Sequence, residues 1–147
     1  MNNKIFVLEP RSGLCNQLNC IAIGLILGSI YNRNIYFNGF QVDYSNEYIF
    51  NDFVNVIDIN HLNRLLNQHN INTKIIDKID ENIDSVKILE TDNKLINDIK
   101  NIFTFIKSYN NLDNDIINLK NPISTYIPEE MNNFYNFIKL NIKFNDK

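Results

Sequence analysis

The sequence predicts an α/β domain: an open, mostly parallel sheet with helices on both faces. Three neighbouring segments carry that expectation. Lys4-Ile5-Phe6-Val7-Leu8 is a short apolar run stopped by Glu9-Pro10, as a buried strand would be. Asn16 to Tyr31 is helix-permissive and apolar nearly all round, which marks a buried helix and not a surface one. Ile35-Tyr36-Phe37, with Phe40, resumes the strand character after Asn32-Arg33-Asn34 breaks the helix. Strand, buried helix and strand in this order form a βαβ unit, so the two strands should be parallel and the crossover right-handed.

Gly24 and Gly28, four residues apart in the helix, read either as a membrane dimerisation motif or as a flat strip that lets the helix approach a sheet closely, and the shortness of the apolar run favours the sheet. Ile5, Val7, Ile35 and Phe37 are expected on adjacent strands, with Ala22, Leu25 and Gly28 packed over them. Residues 41–56 read as a long loop rich in Tyr, Asn and Phe, with a turn of helix near Asn51 to Val54. Asp58 to Gln68 follows helical spacing, with Ile59, Leu62, Leu65 and Leu66 on one face. Ile71 to Ile76 and Val86 to Leu89 are short candidate strands. Asp92 can cap a helix carrying Leu95, Ile96, Ile99, Ile102, Phe103 and Ile106 at helical spacing. Ile116 to Leu119 reads as a further strand. Pro128-Glu129-Glu130 opens a last helix, with Lys139 and Lys143 near its end, in agreement with the helix dipole.

The chain has 147 residues, which suits one domain spanning 1–147 with a single core. Leu, Ile, Val and Phe make up about a third of it, well above the ~20% below which chains tend toward disorder. Asn and Ile dominate, a bias that AT-rich codons produce without any functional demand. With 14 basic and 17 acidic side chains the net charge is −3, and Arg11, Arg33 and Arg64 are the only arginines. That balance argues against nucleic acid as a partner, because backbone binding needs clustered positive charge. The longest apolar run, Cys20 to Ile30, is shorter than the ~20 residues that span a bilayer, so no membrane segment is expected. Cys15 and Cys20 diverge on one helix and cannot reach disulfide geometry, which reads as free thiols in a reducing, cytoplasmic setting.

The residues that could carry chemistry gather between the first strand and the first helix. Ligands of open α/β sheets bind beyond the carboxyl ends of the strands, where the free amides of a helix N-terminus favour anions. Gly13 would permit a positive-φ turn and close backbone approach, Arg11 could offer a fork to phosphate oxygens, and the amides of Asn16 and Gln17 could follow. The plainer reading is that Gly13 makes the turn, Asn16 caps the helix and Arg11 is a solvated charge. Glu9, just past the first strand, and Asp43, shortly after the second, are candidate general bases for an acceptor hydroxyl. Tyr44, Tyr48 and Phe50 could stack on sugar faces or anchor their loop. His61 and His69 are two helical turns apart, unlike the i, i+4 spacing of helical metal pairs, so no metal site is expected. Cys15 has no His near in sequence to act as its base.

This stretch, Gly13-Leu14-Cys15-Asn16-Gln17-Leu18 between a strand and an apolar helix ending in Tyr31-Asn32-Arg33, resembles the G-x-x-N-Q start of GDP-fucose-dependent fucosyltransferases and their O-fucosyltransferase-like relatives. The resemblance is tightest over residues 4–40. It implies the N-terminal half of a GT-B enzyme, one of two Rossmann-like halves facing a cleft. In that family the matching Asn lies near the sugar donor, so Gly13, Asn16 and Gln17 are the implied donor residues, and Arg11 joins them as a ligand candidate on the local reading alone. Ser12 and Cys15 depart from the Gly or Asn often found at those places. The donor would be GDP-fucose and the acceptor a glycan or protein hydroxyl, with no cofactor.

In the family the second half holds most of the nucleotide-sugar site, so the resemblance implies a half-domain, inactive alone or completed by a second chain. The alternative is a noncatalytic α/β binding module for a glycan, a nucleotide or a protein. Partnership with a second α/β half, or self-association through the face bearing Gly13, Asn16 and Gln17, is expected in either case.

Overall fold

The computed structural model describes residues 4–10, 13–42, 50–79, 88–90, 116–120 and 129–145. The chain runs β1 (Ile5–Leu8), α1 (Leu14–Tyr31), β2 (Asn34–Phe37), β3 (Phe40–Gln41), β4 (Phe50–Asn51), α2 (Phe53–Val56), α3 (Ile59–Gln68), β5 (Ile75–Ile76), β6 (Ile88–Glu90) and β7 (Ile116–Lys120). A 3₁₀ turn (Glu129–Met131) then leads into α4 (Asn132–Asn141). Five strands form one sheet in the order β5-β2-β1-β7-β6, and every pairing in it is parallel. The α/β class and the parallel sheet are therefore as the sequence predicts. The helix expected around 92–106 lies outside the described residues.

Alternation along the strands sorts their side chains onto two faces. Phe6, Leu8, Ile35, Phe37, Ile75, Ile117 and Leu119 share one buried cluster with α1, with Leu62 and Leu66 of α3 and with Ile138 of α4. Ile5, Val7 and Ile116 face the other way and meet Tyr36, Ile76 and Ile79. This corrects the expectation that Ile5 and Val7 lie under α1. Register pairs Phe6 with Ile35 and Leu8 with Phe37, so those four form the platform beneath the helix.

From Cys20 to Gly28 every residue of α1 is buried. By length and composition the helix could cross a membrane, but here its apolar surface is taken up by the sheet and α4. The two glycines set the approach. A Cβ at Gly24 would meet the Leu8 and Phe37 side chains at 3.2–3.3 Å. One at Gly28 would lie 2.7 Å from the Arg33 carbonyl oxygen and would also overlap the Thr73 hydroxyl and the Ile35 Cδ1. Asn32 ends the helix in the left-handed region (φ 55°), a conformation asparagine tolerates, and the Arg33 amide returns to the Gly28 carbonyl at 2.9 Å.

Arg33 is the least expected core residue, at 1% exposure. Its Nη2 donates to the Ile5 carbonyl at 2.9 Å, and its guanidinium lies 4.7 Å from the centre of the Phe6 ring. The Thr73 hydroxyl donates to the Arg33 carbonyl, which ties the approach to β5 to the start of β2.

Phe40 does not extend β2, contrary to the expectation. Gly39 takes a positive φ of 84°, and beyond it β3 pairs antiparallel with β4 in a separate two-stranded ribbon. Phe37 stacks on Phe53 at 4.5 Å, and Phe40 meets both Phe53 and Phe144, so aromatic packing fastens this ribbon to the main core. Asp58 caps α3 by accepting the His61 amide at 3.0 Å. The helix closes at Asn70 (φ 59°) with the Ile71 amide on the Leu66 carbonyl, a Schellman arrangement. Of the strand expected over 71–76, only Ile75–Ile76 pairs.

Two outcomes follow from the packing of α1. Gly28→Ala should be more destabilising than Gly24→Ala, because at 28 the Cβ meets backbone whereas at 24 it meets side-chain ends that can shift. Overpacking of this kind costs about 1–3 kcal/mol, and urea unfolding of the two variants should rank them in that order. Burial also raises the pKa of the half-buried Tyr31 hydroxyl above its ordinary value. Below the ordinary tyrosine range both states keep the proton; as pH rises through it the unfolded chain ionises first, and the native state loses stability. Tyr31→Phe, which preserves the edge-on contact with Phe6, should flatten that alkaline loss in urea midpoints measured from neutral to alkaline pH.

Candidate functional site

The carboxyl ends of β1 and β2 and the start of α1 converge on one corner of the sheet. Glu9 follows β1 and is half-buried, with Pro10 buried behind it. Gly13 is the N-cap of α1, and its carbonyl accepts the Gln17 amide at 3.1 Å. Its φ is −66°, so the positive-φ turn expected there is not used; what glycine leaves is open space, since a Cβ would meet nothing within 4 Å. No acidic residue stands in the first turn of α1, and no side chain caps it.

Asn16 lies in that first turn and is half-buried. The cap is Gly13, so the plainer role of helix cap does not fall to Asn16. Gln17 turns inward and is fully buried. Its Nε2 donates to the Gln41 carbonyl and its Oε1 accepts the Gln41 amide, both at 2.9 Å. One side chain thus pairs with both backbone groups of a β3 residue, as a neighbouring strand would, and holds the ribbon against α1. Gln41, itself buried, is the site residue that sequence reasoning missed. Its only signal was a polar residue beside Phe40, and a pairing 24 positions away leaves no local pattern.

Gly13, Asn16 and Gln17 are therefore together at the corner, with Glu9 at the end of the adjacent strand. Arg11, Asp43, Tyr44 and Tyr48 lie outside the described residues, and Phe50 opens β4. Lys120 is the register partner of Leu8 at this end of the sheet. Arg33 and Arg64 belong elsewhere: Arg33 is committed to the core at the amino-terminal end of β1, and Arg64 stands on the exposed side of α3. Cys15 is exposed and Cys20 buried, both as free thiols. The His69 ring packs edge-on against Phe137, 4.6 Å between centres.

Chemically, the corner offers a helix N-terminus, a small cap residue that lets a ligand approach the backbone, and one half-buried carboxamide. These can hold an anion or the hydroxyls of a sugar. Comparison with protein-family models, curated proteins and solved structures returned no match.

Gln17→Met, close in volume, should leave the buried amide and carbonyl of Gln41 without partners, at about 1–3 kcal/mol for each stranded group. Hydrogen exchange provides the local reading: the Gln41 amide should be protected in the parent and exchange much faster in the variant, while amides at the centre of α1 keep their relative protection.

Proposed function

We propose that the protein is a fucosyltransferase-like half-domain. It engages a nucleotide sugar or a glycan at the corner between β1 and α1, and transfers a sugar only together with a second α/β half. The observation that supports this reading is the arrangement of the G-x-x-N-Q residues. Gly13 caps the helix at the carboxyl end of β1, Asn16 lies in the first turn, and Gln17 braces the adjoining ribbon. Open α/β sheets take their ligands at this end.

Transfer from GDP-fucose leaves a diphosphate whose developing charge must be stabilised by cations or preorganised donors. Removing one such group costs about 3 kcal/mol or more. A single helix N-terminus supplies part of that requirement, and Arg11, two positions before the cap in sequence, would add a bidentate donor. Glu9 and Asp43 are the candidate carboxylates for accepting a proton from the acceptor hydroxyl.

A specific observation also favours a noncatalytic binding module. The one polar side chain of the motif that is fully buried, Gln17, is committed to Gln41, and Leu14, one turn before Gln17, and Val42, next to Gln41 in sequence, are exposed apolar residues. A rim of that kind suits a protein or glycan surface held against it.

The 147-residue chain alone should release no GDP from GDP-fucose above background, yet bind GDP-fucose or a fucosylated glycan in calorimetry, and Asn16→Ala should abolish that binding. GDP release that depends on Asn16 would remove the need for a second half. Binding of neither ligand would overturn the transferase-like reading.

A further inference from the structure

An open cleft of about 550 Å³ lies between α3 and residues 71–74, toward the amino-terminal ends of the strands and so away from the β1–α1 corner. That volume is in the range of small-molecule sites. We propose that this cleft binds a small phosphorylated molecule, with the phosphate between Arg64 and Lys74.

The walls are fixed by side chains already committed to structure. The Asn63 carboxamide donates to the Ile75 carbonyl at 2.9 Å and accepts the Ile75 amide at 2.8 Å, and Thr73 is held by its bond to the Arg33 carbonyl. Lys74 is positioned through its backbone, whose amide donates to Asn34 Oδ1 and whose carbonyl accepts the Ile35 amide. Ile71 packs against the main core and gives the cleft an apolar patch.

The lining that remains is Arg64, Asn67, Asn72 and Lys74, all exposed. Among the described residues no carboxylate meets either cation, although acidic side chains outnumber basic ones 17 to 14 in the chain. Two positive groups sharing one cleft repel each other, and an anion between them relieves that repulsion. A guanidinium fork beside an ammonium suits the several oxygens of a phosphate, and the two carboxamides can serve the hydroxyls of the molecule that carries it.

The carboxyl end of α3 adjoins the cleft, and open carbonyls there would oppose an anion. Three of the last four are instead occupied: Leu65 accepts the His69 amide at 3.1 Å, Leu66 the Ile71 amide at 2.9 Å and Asn67 the Asn70 amide at 3.1 Å. The helix end therefore closes in a turn that takes up most of its free carbonyls, which leaves Arg64 and Lys74 as the charged groups lining the cleft.

The test is an amide-resolved NMR titration of the full chain with glucose 6-phosphate and with inorganic phosphate at constant, low ionic strength, using glucose and chloride as controls. Saturable shifts should centre on Asn67, Asn72 and Lys74 with both phosphates and be absent with both controls. Arg64→Gln and Lys74→Gln, exposed changes that leave the melting temperature in place, should each weaken binding roughly tenfold. Asn16→Ala should leave it unchanged, so this result stands apart from that at the β1–α1 corner. Shifts that grow linearly, that chloride reproduces, or that survive both Gln substitutions would overturn the proposal. So would a hexaglutamate peptide that binds more tightly than either phosphate, which would make the cleft a protein-docking surface.

Discussion

The structure depends on how closely α1 lies to the sheet at Gly28. With no Cβ there, the helix comes down onto the Arg33 carbonyl and Ile35, and its last turn can close through Asn32 directly into β2. The short return leaves Arg33 under the helix end, where the Ile5 carbonyl and the Phe6 ring take its guanidinium. The Arg33 carbonyl in turn receives Thr73, which brings the chain into β5 beside β2. A larger residue at 28 would press on all of these at once. A buried arginine is costly when its contacts fail, so helix, cation and strand order are coupled through one contact.

A second theme is the use of carboxamides as substitutes for backbone. Gln17 pairs with both groups of Gln41, and Asn63 with both groups of Ile75. Asn34 accepts the Lys74 amide, and Asn145 reaches the Val54 carbonyl. A carboxamide carries a donor and an acceptor side by side, the same pair that a strand presents at its edge. At β5 the Asn63 side chain occupies the outward-facing groups of Ile75, which an unprotected edge strand would offer to another chain. The abundance of asparagine, readable in the sequence as codon bias, is here put to structural use.

Much of the main sheet could be read in the sequence because apolar runs bounded by Pro, Gly and Asn are a local signal. β1, α1, β2, α3 and β7 follow that signal closely. Which face each strand residue takes could not be read: Ile5-Phe6-Val7-Leu8 is buried on both sides, and a continuous apolar run has no parity. Phe40 reads as part of β2 by its apolar character, while the positive φ of Gly39 redirects the chain. At the candidate site, Gly13 and Asn16 could be placed by their position after a strand. The inward turn of Gln17 could not, since its partner is set by tertiary packing. Arg33 looked like part of a helix break because a buried charge is rare enough that no pattern anticipates it.

The strand order has a consequence for how the chain assembles. β1, β2 and β5 are the first three strands of the main sheet in sequence and are neighbours in space, so this half of the sheet can form from the first half of the chain as soon as α1 and α3 pack. The other flank of β1 is filled only by β7, whose Ile116 pairs with Ile5 across most of the chain's length. Such distant pairing is slow because a long loop must close first. Until it happens, the strand destined for the centre of the sheet is an edge, apolar on both faces and open along its backbone. During synthesis that edge exists before residue 116 has been made, and chaperone capture or aggregation in that interval would act on β1 rather than on the finished surface.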